Sequence, residues 1–260
     1  MENPLKYSLT TRFKDRHILG LLGLEPRDRV LDVGCGIGYL VGLAGQGGSR
    51  ACGIDPSPEA LAGAVGLMGS RIFACAGADR LPFREAVFDK VIFADVIEHV
   101  DDDRQALREI ARVCKDGARV VVTTPAIEAP FTTTRMKTLL HGDEDHLLKN
   151  VRHGYSASSL AALMGECGIE AQNITYTNFY LTELILGMVK LVYFFKNRRY
   201  RTQADLLASA RSFGFGFYRR VLFPLFLRIG RAEEWLLQGR CKGHCLIVQG
   251  AVVKEERVPR

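Results

Sequence analysis

Short apolar runs alternate with stretches of helical spacing through the first two thirds of the chain. Arg29–Val33, Ala51–Ile54, Ile72–Cys75, Val91–Ala94 and Val120–Thr124 read as strands, the first ending in a glycine turn. Helical patterns at Tyr39–Gly45, Glu59–Met68 and Arg104–Cys114 lie between them. In the last, Leu107, Ile110, Ala111 and Cys114 share one face, and Asp101–Asp103 cluster at its start, where carboxylates favour a helix N-terminus. A further helix is predicted over Ser156–Cys167, with Ser156 as N-cap and Gly168 as stop, followed by strands Ile169–Thr177 and Cys245–Val253. Strands alternating with helices predict an α/β fold with a doubly wound parallel sheet.

The pattern changes at residue 176. Residues 176–240 hold 14 of the 23 aromatic residues and 11 Lys or Arg against four acids. That segment carries +7 of a chain whose formal charge is +6, leaving −1 elsewhere. Two amphipathic stretches mark it: Leu181, Leu184, Ile185, Met188, Val192 and Phe195 in one, and Phe213, Phe217, Val221 and Leu225 in the other, with Pro224 expected to kink the helix. The predicted organisation is therefore a core of 1–175, an aromatic, basic helical cap of 176–240, and a last strand and tail of 241–260.

Composition is that of an ordinary globular protein, with 47% hydrophobic and 25% charged residues among 260. The opening MENPLKYSLT lacks the basic end and apolar run of a signal peptide, and no apolar stretch reaches the ~18 uncharged residues of a membrane span. Seven scattered cysteines without a CxxC pair read as reduced thiols. Cys241-Lys-Gly-His-Cys245 has no second cluster to complete a tetrahedral metal site and reads as residues entering a strand. A cytoplasmic protein is expected, peripheral on a membrane if the cap engages lipid.

The sharpest motif is Leu31-Asp32-Val33-Gly34-Cys35-Gly36-Ile37-Gly38. Glycines so spaced between a strand and a helix permit a tight turn and close approach of a ligand to backbone. Asp32 precedes the loop, where a carboxylate can meet a ligand ammonium. The loop lacks the Lys-Ser/Thr pair of a phosphate-binding P-loop. Asp55, in Gly53-Ile54-Asp55-Pro56-Ser57, ends the second strand, where an acid accepts hydrogen bonds from ribose hydroxyls or caps the next helix. Ala78-Asp79-Arg80-Leu81-Pro82-Phe83 and Phe93-Ala94-Asp95-Val96-Ile97-Glu98-His99-Val100 follow the third and fourth strands.

With these pieces in order over residues 28–125, the chain resembles the class I S-adenosylmethionine-dependent methyltransferases, and most of all the group that includes ubiquinone and menaquinone biosynthesis enzymes. The resemblance implies a Rossmann-like seven-stranded sheet with an antiparallel last strand, and S-adenosyl-L-methionine as cofactor. It assigns Asp32, Gly34, Cys35, Gly36 and Gly38 to the methionine half, Asp55 to the ribose, Pro56 and Ser57 to the adenine side, Ala78 and Asp79 to the adenine edge, and Asp95 to the cofactor's vicinity. Relatives often carry an acid five residues before the proline; here that position is Gly77, and Asp79 lies two residues later.

Methyl transfer by in-line displacement needs alignment and exclusion of water more than a dedicated catalyst. A hydroxyl acceptor gains from a general base, for which His99, His146 and His153 are candidates, with His141 in the same region. No metal is expected. An alternative reading groups Asp95, Glu98 and His99 with a distal histidine as a divalent-metal site, as in some RNA 2′-O-methyltransferases. Arg152 or His153 would hold an acceptor or brace a lid. The apolar cap fits a small-molecule or lipid-like acceptor, and its arginines fit an anionic membrane surface. The bland reading is a cap whose apolar stripes pack on the sheet. Nucleic acid is disfavoured because no recognised binding module is present. A non-catalytic cofactor-binding or membrane-associated module is the competing reading. The sequence leaves the oligomeric state undetermined.

Overall fold

In the computed structural model, which describes residues 8–68, 72–129, 151–185, 216 and 218–254, seven strands form one sheet in the order β3-β2-β1-β4-β5-β7-β6. The strands are β1 Arg29–Val33, β2 Arg50–Asp55, β3 Ile72–Cys75, β4 Phe88–Ala94, β5 Cys114–Pro125, β6 Ile169–Thr177 and β7 Cys245–Val252. β1 pairs in parallel with β2 and β4, β2 with β3, and β4 with β5. β7 is the antiparallel strand, as expected from the resemblance. Leu31, Val91–Phe93 and Val120–Val122 are fully buried, because central parallel strands are covered on both faces and read as continuous apolar runs.

The helices are α1 Leu9–Leu22, α2 Tyr39–Gln46, α3 Pro58–Met68, α4 Asp103–Val113, α5 Ala157–Glu166 and α6 Phe223–Leu237. α4 starts where its acids predict: the Asp102 side chain accepts the Gln105 amide at 2.8 Å. Its buried face is Ala106, Leu107, Ile110 and Val113, and Cys114 already begins β5. β5 is therefore longer than the apolar run Val120–Thr124, and its register against β4 shifts between Phe88 and Lys90. In α5, Ser156 and Ser159 cap each other reciprocally, and Gly168 turns the chain at φ 79°. α1 was not anticipated. Its buried Leu9, Phe13, Ile18 and Leu22 follow a helical stripe diluted by charged neighbours.

The chain divides into two units. One holds the described residues of 17–125, 150–174 and 246–260; the other holds those of 1–16, 126–149 and 175–245. In the second, Leu9, Phe13, Ile185 and Phe223 form an apolar cluster. A π-helical turn, Tyr218–Leu222, runs directly into α6. Pro224 occupies the first turn of α6 and so stands at the junction where the π-helical turn passes into regular helix. Of the predicted cap stripes, Met188, Val192, Phe195, Phe213 and Phe217 lie outside the described residues.

Candidate functional site

The loops that follow β1, β2, β3 and β4 all leave one edge of the sheet, since these strands are parallel. The first, Gly34–Gly38, is shaped by three left-handed residues, with φ of 77° at Gly34, 51° at Gly36 and 74° at Gly38. A side chain at Gly34 would collide with Val96, and one at Gly38 with Phe73. Glycine is therefore required both by backbone conformation and by the close approach of neighbours. The Gly34 and Cys35 amides both donate to the Ile54 carbonyl at 2.8 Å, fixing the turn on the end of β2.

Asp55 completes that attachment. One carboxylate oxygen accepts the Gly36 amide at 2.8 Å and the other accepts the Ser57 amide at 2.9 Å. Each oxygen keeps a further lone pair. The capping role considered for Asp55 falls instead to Ser57, whose hydroxyl accepts the Ala60 amide at the start of α3. Pro56 directly precedes it, and its carbonyl accepts the Cys75 thiol at 3.5 Å.

Asp32 sits on β1 beside Gly53 of β2 and Ile92 of β4, with 3% of its surface exposed. Burial, and secondarily the charge of Asp55, pushes its carboxyl up to about 7. A buried carboxylate next to a second one calls for a cation. Cys35 turns inward, packed with Val41 and Leu61, and a side chain at Gly53 would meet its sulfur at 2.6 Å. Burial and the two nearby aspartates push its thiol up, away from reactivity.

After β3, Asp79 is exposed, and its carboxylate occupies the space that a side chain at Gly77 would enter. The same loop is fixed from α4. Arg112 donates to the Phe83 carbonyl at 2.9 Å and the Leu81 carbonyl at 3.0 Å, while Glu109 accepts the Leu81 amide at 2.8 Å. The Arg112 guanidinium in turn holds the Glu109 carboxyl below its ordinary range. Ala78 is half-buried beside Asp79.

After β4, Asp95 adopts a left-handed φ of 55°, a conformation aspartate tolerates better than most residues. Its amide donates to the Thr123 carbonyl at 2.9 Å, and its carboxylate accepts the Thr123 hydroxyl at 2.8 Å. Buried Glu98 accepts the Thr124 hydroxyl at 3.2 Å. The two threonines of β5 thus hold the two acids, a pairing that sequence alone did not single out.

Of the histidine candidates, half-buried His99 closes a short 3-10 turn, its amide donating to the Val96 carbonyl at 2.9 Å. His153 is exposed on the segment before α5. His146, like His141, lies outside the described residues. Arg152 braces: its guanidinium donates to the carbonyls of Val100 at 2.6 Å and Asp101 at 3.0 Å and lies 3.4 Å from the Asp103 carboxylate. Tyr155 donates to that same carboxylate at 2.7 Å. No group of three or more His, Cys, Asp or Glu side chains able to hold a metal gathers among the described residues.

The other unit holds a second polar group. The His244 amide donates to the carbonyl of Asn178, a residue held at φ 58°. Asn178 Oδ1, Glu183 Oε2 and His244 Nδ1 are buried without a hydrogen-bond partner among the described residues. Burial lowers the His244 pKa, against the pull of Glu183 and Glu233. The only sequence signal for it was the Cys241–Cys245 cluster, and there Cys245 does enter β7 as expected.

Residues 31–122, which run from β1 into β5, match the methyltransferase domain family. The match covers the strands and loops of the glycine turn and the acids after β2 and β4. Norajmaline N-methyltransferase of Rauvolfia serpentina is 33% identical over 140 residues, covering 51% of this chain and 47% of that protein. Demethylmenaquinone methyltransferase of Mycolicibacterium paratuberculosis is 35% identical over 123 residues, covering 46% and 52%. The chain thus spans about half the length of these curated relatives. A solved S-adenosylmethionine-dependent methyltransferase from Thermotoga maritima superposes with a TM-score of 0.59 at 19% identity, over 95% of this chain and 92% of that one, which shows a shared fold. The family implies S-adenosyl-L-methionine as the cofactor of the methyltransferase domain. The buried Asp32 carboxylate, in want of a cation, and the glycine cradle fit a ligand with an ammonium end.

Proposed function

We propose that the protein transfers a methyl group from S-adenosyl-L-methionine to a small-molecule or lipid-like acceptor. The observation that carries this is Asp32, buried and pushed up to about 7 beneath a loop that Asp55 holds open. In this reading Asp32 takes the cofactor's ammonium, and Gly34, Cys35, Gly36 and Gly38 let its methionine half approach the backbone. The free lone pairs of Asp55 accept the ribose hydroxyls. Pro56, Ser57, Ala78 and Asp79 border the adenine, with Asp79 supplying the acid missing at Gly77. Asp95 flanks the cofactor from the end of β4.

When bound, the cofactor supplies an activated methyl group on a sulfonium. The chain's residues position the acceptor in line with it and exclude water. A histidine among His99, His146 and His153 removes the acceptor proton where the nucleophile is a hydroxyl. The relatives' names, an alkaloid N-methyltransferase and a quinone-precursor methyltransferase, support an organic acceptor of modest size.

The test is calorimetric titration with S-adenosyl-L-methionine, followed by incubation with methyl-labelled cofactor and fractionated extract. Label entering the small-molecule or lipid fraction supports the reading. Cofactor binding without label transfer to any fraction favours a non-catalytic module, and absence of cofactor binding overturns both.

A further inference from the structure

α6 has two opposed faces. Phe223, Gly230 and Glu234 are buried on one. Val221 at the end of the π-helical turn, then Leu225, Ile229, Ala232 and Leu236, recur in steps of four, four, three and four, so they line the opposite side. That side faces solvent: Val221 and Leu225 are each 49% exposed and Leu236 52%. The stripe the sequence marked at Val221 and Leu225 is therefore turned outward in its described half, not packed inward. Trp235, 83% exposed, flanks it. An apolar helical stripe left in water needs an occupant.

Charge says which occupant. The helical run Tyr218–Leu237 contains two acids, Glu233 and Glu234, and both are turned inward. Glu234 accepts the Thr177 hydroxyl at 2.6 Å; Glu233 accepts the Leu181 amide at 2.5 Å and the Thr182 amide at 3.1 Å. Arg220, Arg228 and Arg231 remain outside, exposed and with no ion pair among the described residues. Arg228 and Arg231 stand on the same flank of the stripe as Trp235. The outward side is thus apolar along its middle and cationic at its margin, with no opposing carboxylate among the described residues.

We infer that the outer face of α6 docks on an anionic lipid bilayer, with Leu225, Ile229 and Leu236 entering the acyl boundary and Arg228 and Arg231 meeting headgroup phosphates. No helix among the described residues is long and apolar enough to cross a membrane, so the contact is interfacial. A nucleic-acid partner would leave the apolar stripe unused, and a second copy would bring arginines against arginines.

Trp235 is the sole tryptophan of the chain, so its fluorescence reports this face alone. The full-length protein is mixed with vesicles of phosphatidylcholine and of phosphatidylcholine with phosphatidylglycerol. The expected result is a blue shift and co-sedimentation with the mixed vesicles only, reversed by salt. Arg228→Gln and Arg231→Gln each lower partitioning about fivefold, and Leu225→Ser with Ile229→Ser abolishes the blue shift. All four positions are exposed, and unchanged cofactor titration confirms that the variants fold. Equal recovery with neutral and mixed vesicles, or binding that survives both arginine changes, overturns the inference. So does a stripe-dependent dimer in light scattering, or RNA binding lost in the same variants with no vesicle binding.

Discussion

The Gly36 amide donates to the Asp55 carboxylate across 2.8 Å, joining the glycine loop after β1 to the end of β2. One acid therefore shapes the loop at the site proposed for the cofactor. Asp55→Ala removes the acceptor for the Gly36 and Ser57 amides together. It is expected to destabilise the protein by about 1–3 kcal/mol and to weaken cofactor binding more than tenfold. Thermal denaturation and calorimetry measure the two effects separately. Asp55→Asn keeps one acceptor oxygen but sets its amide NH2 against the other backbone N–H, so it is expected to recover only part of the stability and none of the affinity.

Asp32 predicts a pH dependence with a definite sign. Its folded pKa of about 7 lies above the ordinary 3.8, so the folded state holds this proton more tightly than the unfolded state. Its contribution to stability is fully present below about pH 4 and is lost as pH rises to about 7. Ammonium binding needs the ionised form, so cofactor affinity is expected to fall up to tenfold per unit as pH drops below about 7. Asp32→Asn removes the buried charge. At pH above 7 the ligand-free variant is expected to melt higher, by an amount worth on the order of a few kcal/mol, while losing affinity. A lower melting temperature for this variant at that pH would contradict the assignment of burial as the cause.

Gly34→Ala tests the cradle. The new methyl group meets Val96, and φ of 77° is strained for alanine. The expected loss is about 1–3 kcal/mol of stability together with cofactor affinity. Adding Val96→Ala should return the steric part and leave the conformational part, read as partial recovery in thermal denaturation.

Arg152→Ala should loosen the loop before α4. The Val100 and Asp101 carbonyls lose their donor, and Asp103 keeps only Tyr155 of the pair. A destabilisation of about 1–3 kcal/mol is expected, with faster amide exchange confined to the segment around residues 100–105. Cofactor affinity should change little, which separates bracing from ligand contact.

Legibility along the chain followed local periodicity. β1, β3 and β6 have the expected bounds because each is a short run stopped by a turn residue or a polar cluster. β5 was read short because Lys115, Asp116 and Gly117 interrupt its apolar pattern, although backbone pairing resumes beyond them at Arg119. α1 escaped because its buried apolar residues, Leu9, Phe13, Ile18 and Leu22, are spaced among polar neighbours, one of which, Asp15, is buried too. The glycine turn after β1 and the acid that ends β2 were legible, since glycines between a strand and a helix mark a tight turn. Their supports were not. Thr123 and Thr124 read as strand residues, and Arg112 as one charge on a helix, until the structure showed Asp95, Glu98 and the Leu81–Phe83 loop against them. Such partners are long-range in sequence, and no spacing rule reports them.

Gly77 and the Asp79 carboxylate share one space in the loop after β3. The volume that a side chain at residue 77 would enter is filled by a carboxylate arriving from two residues downstream. Glycine at residue 77 leaves room for that carboxylate, so placing an aspartate there without removing Asp79 should crowd the loop.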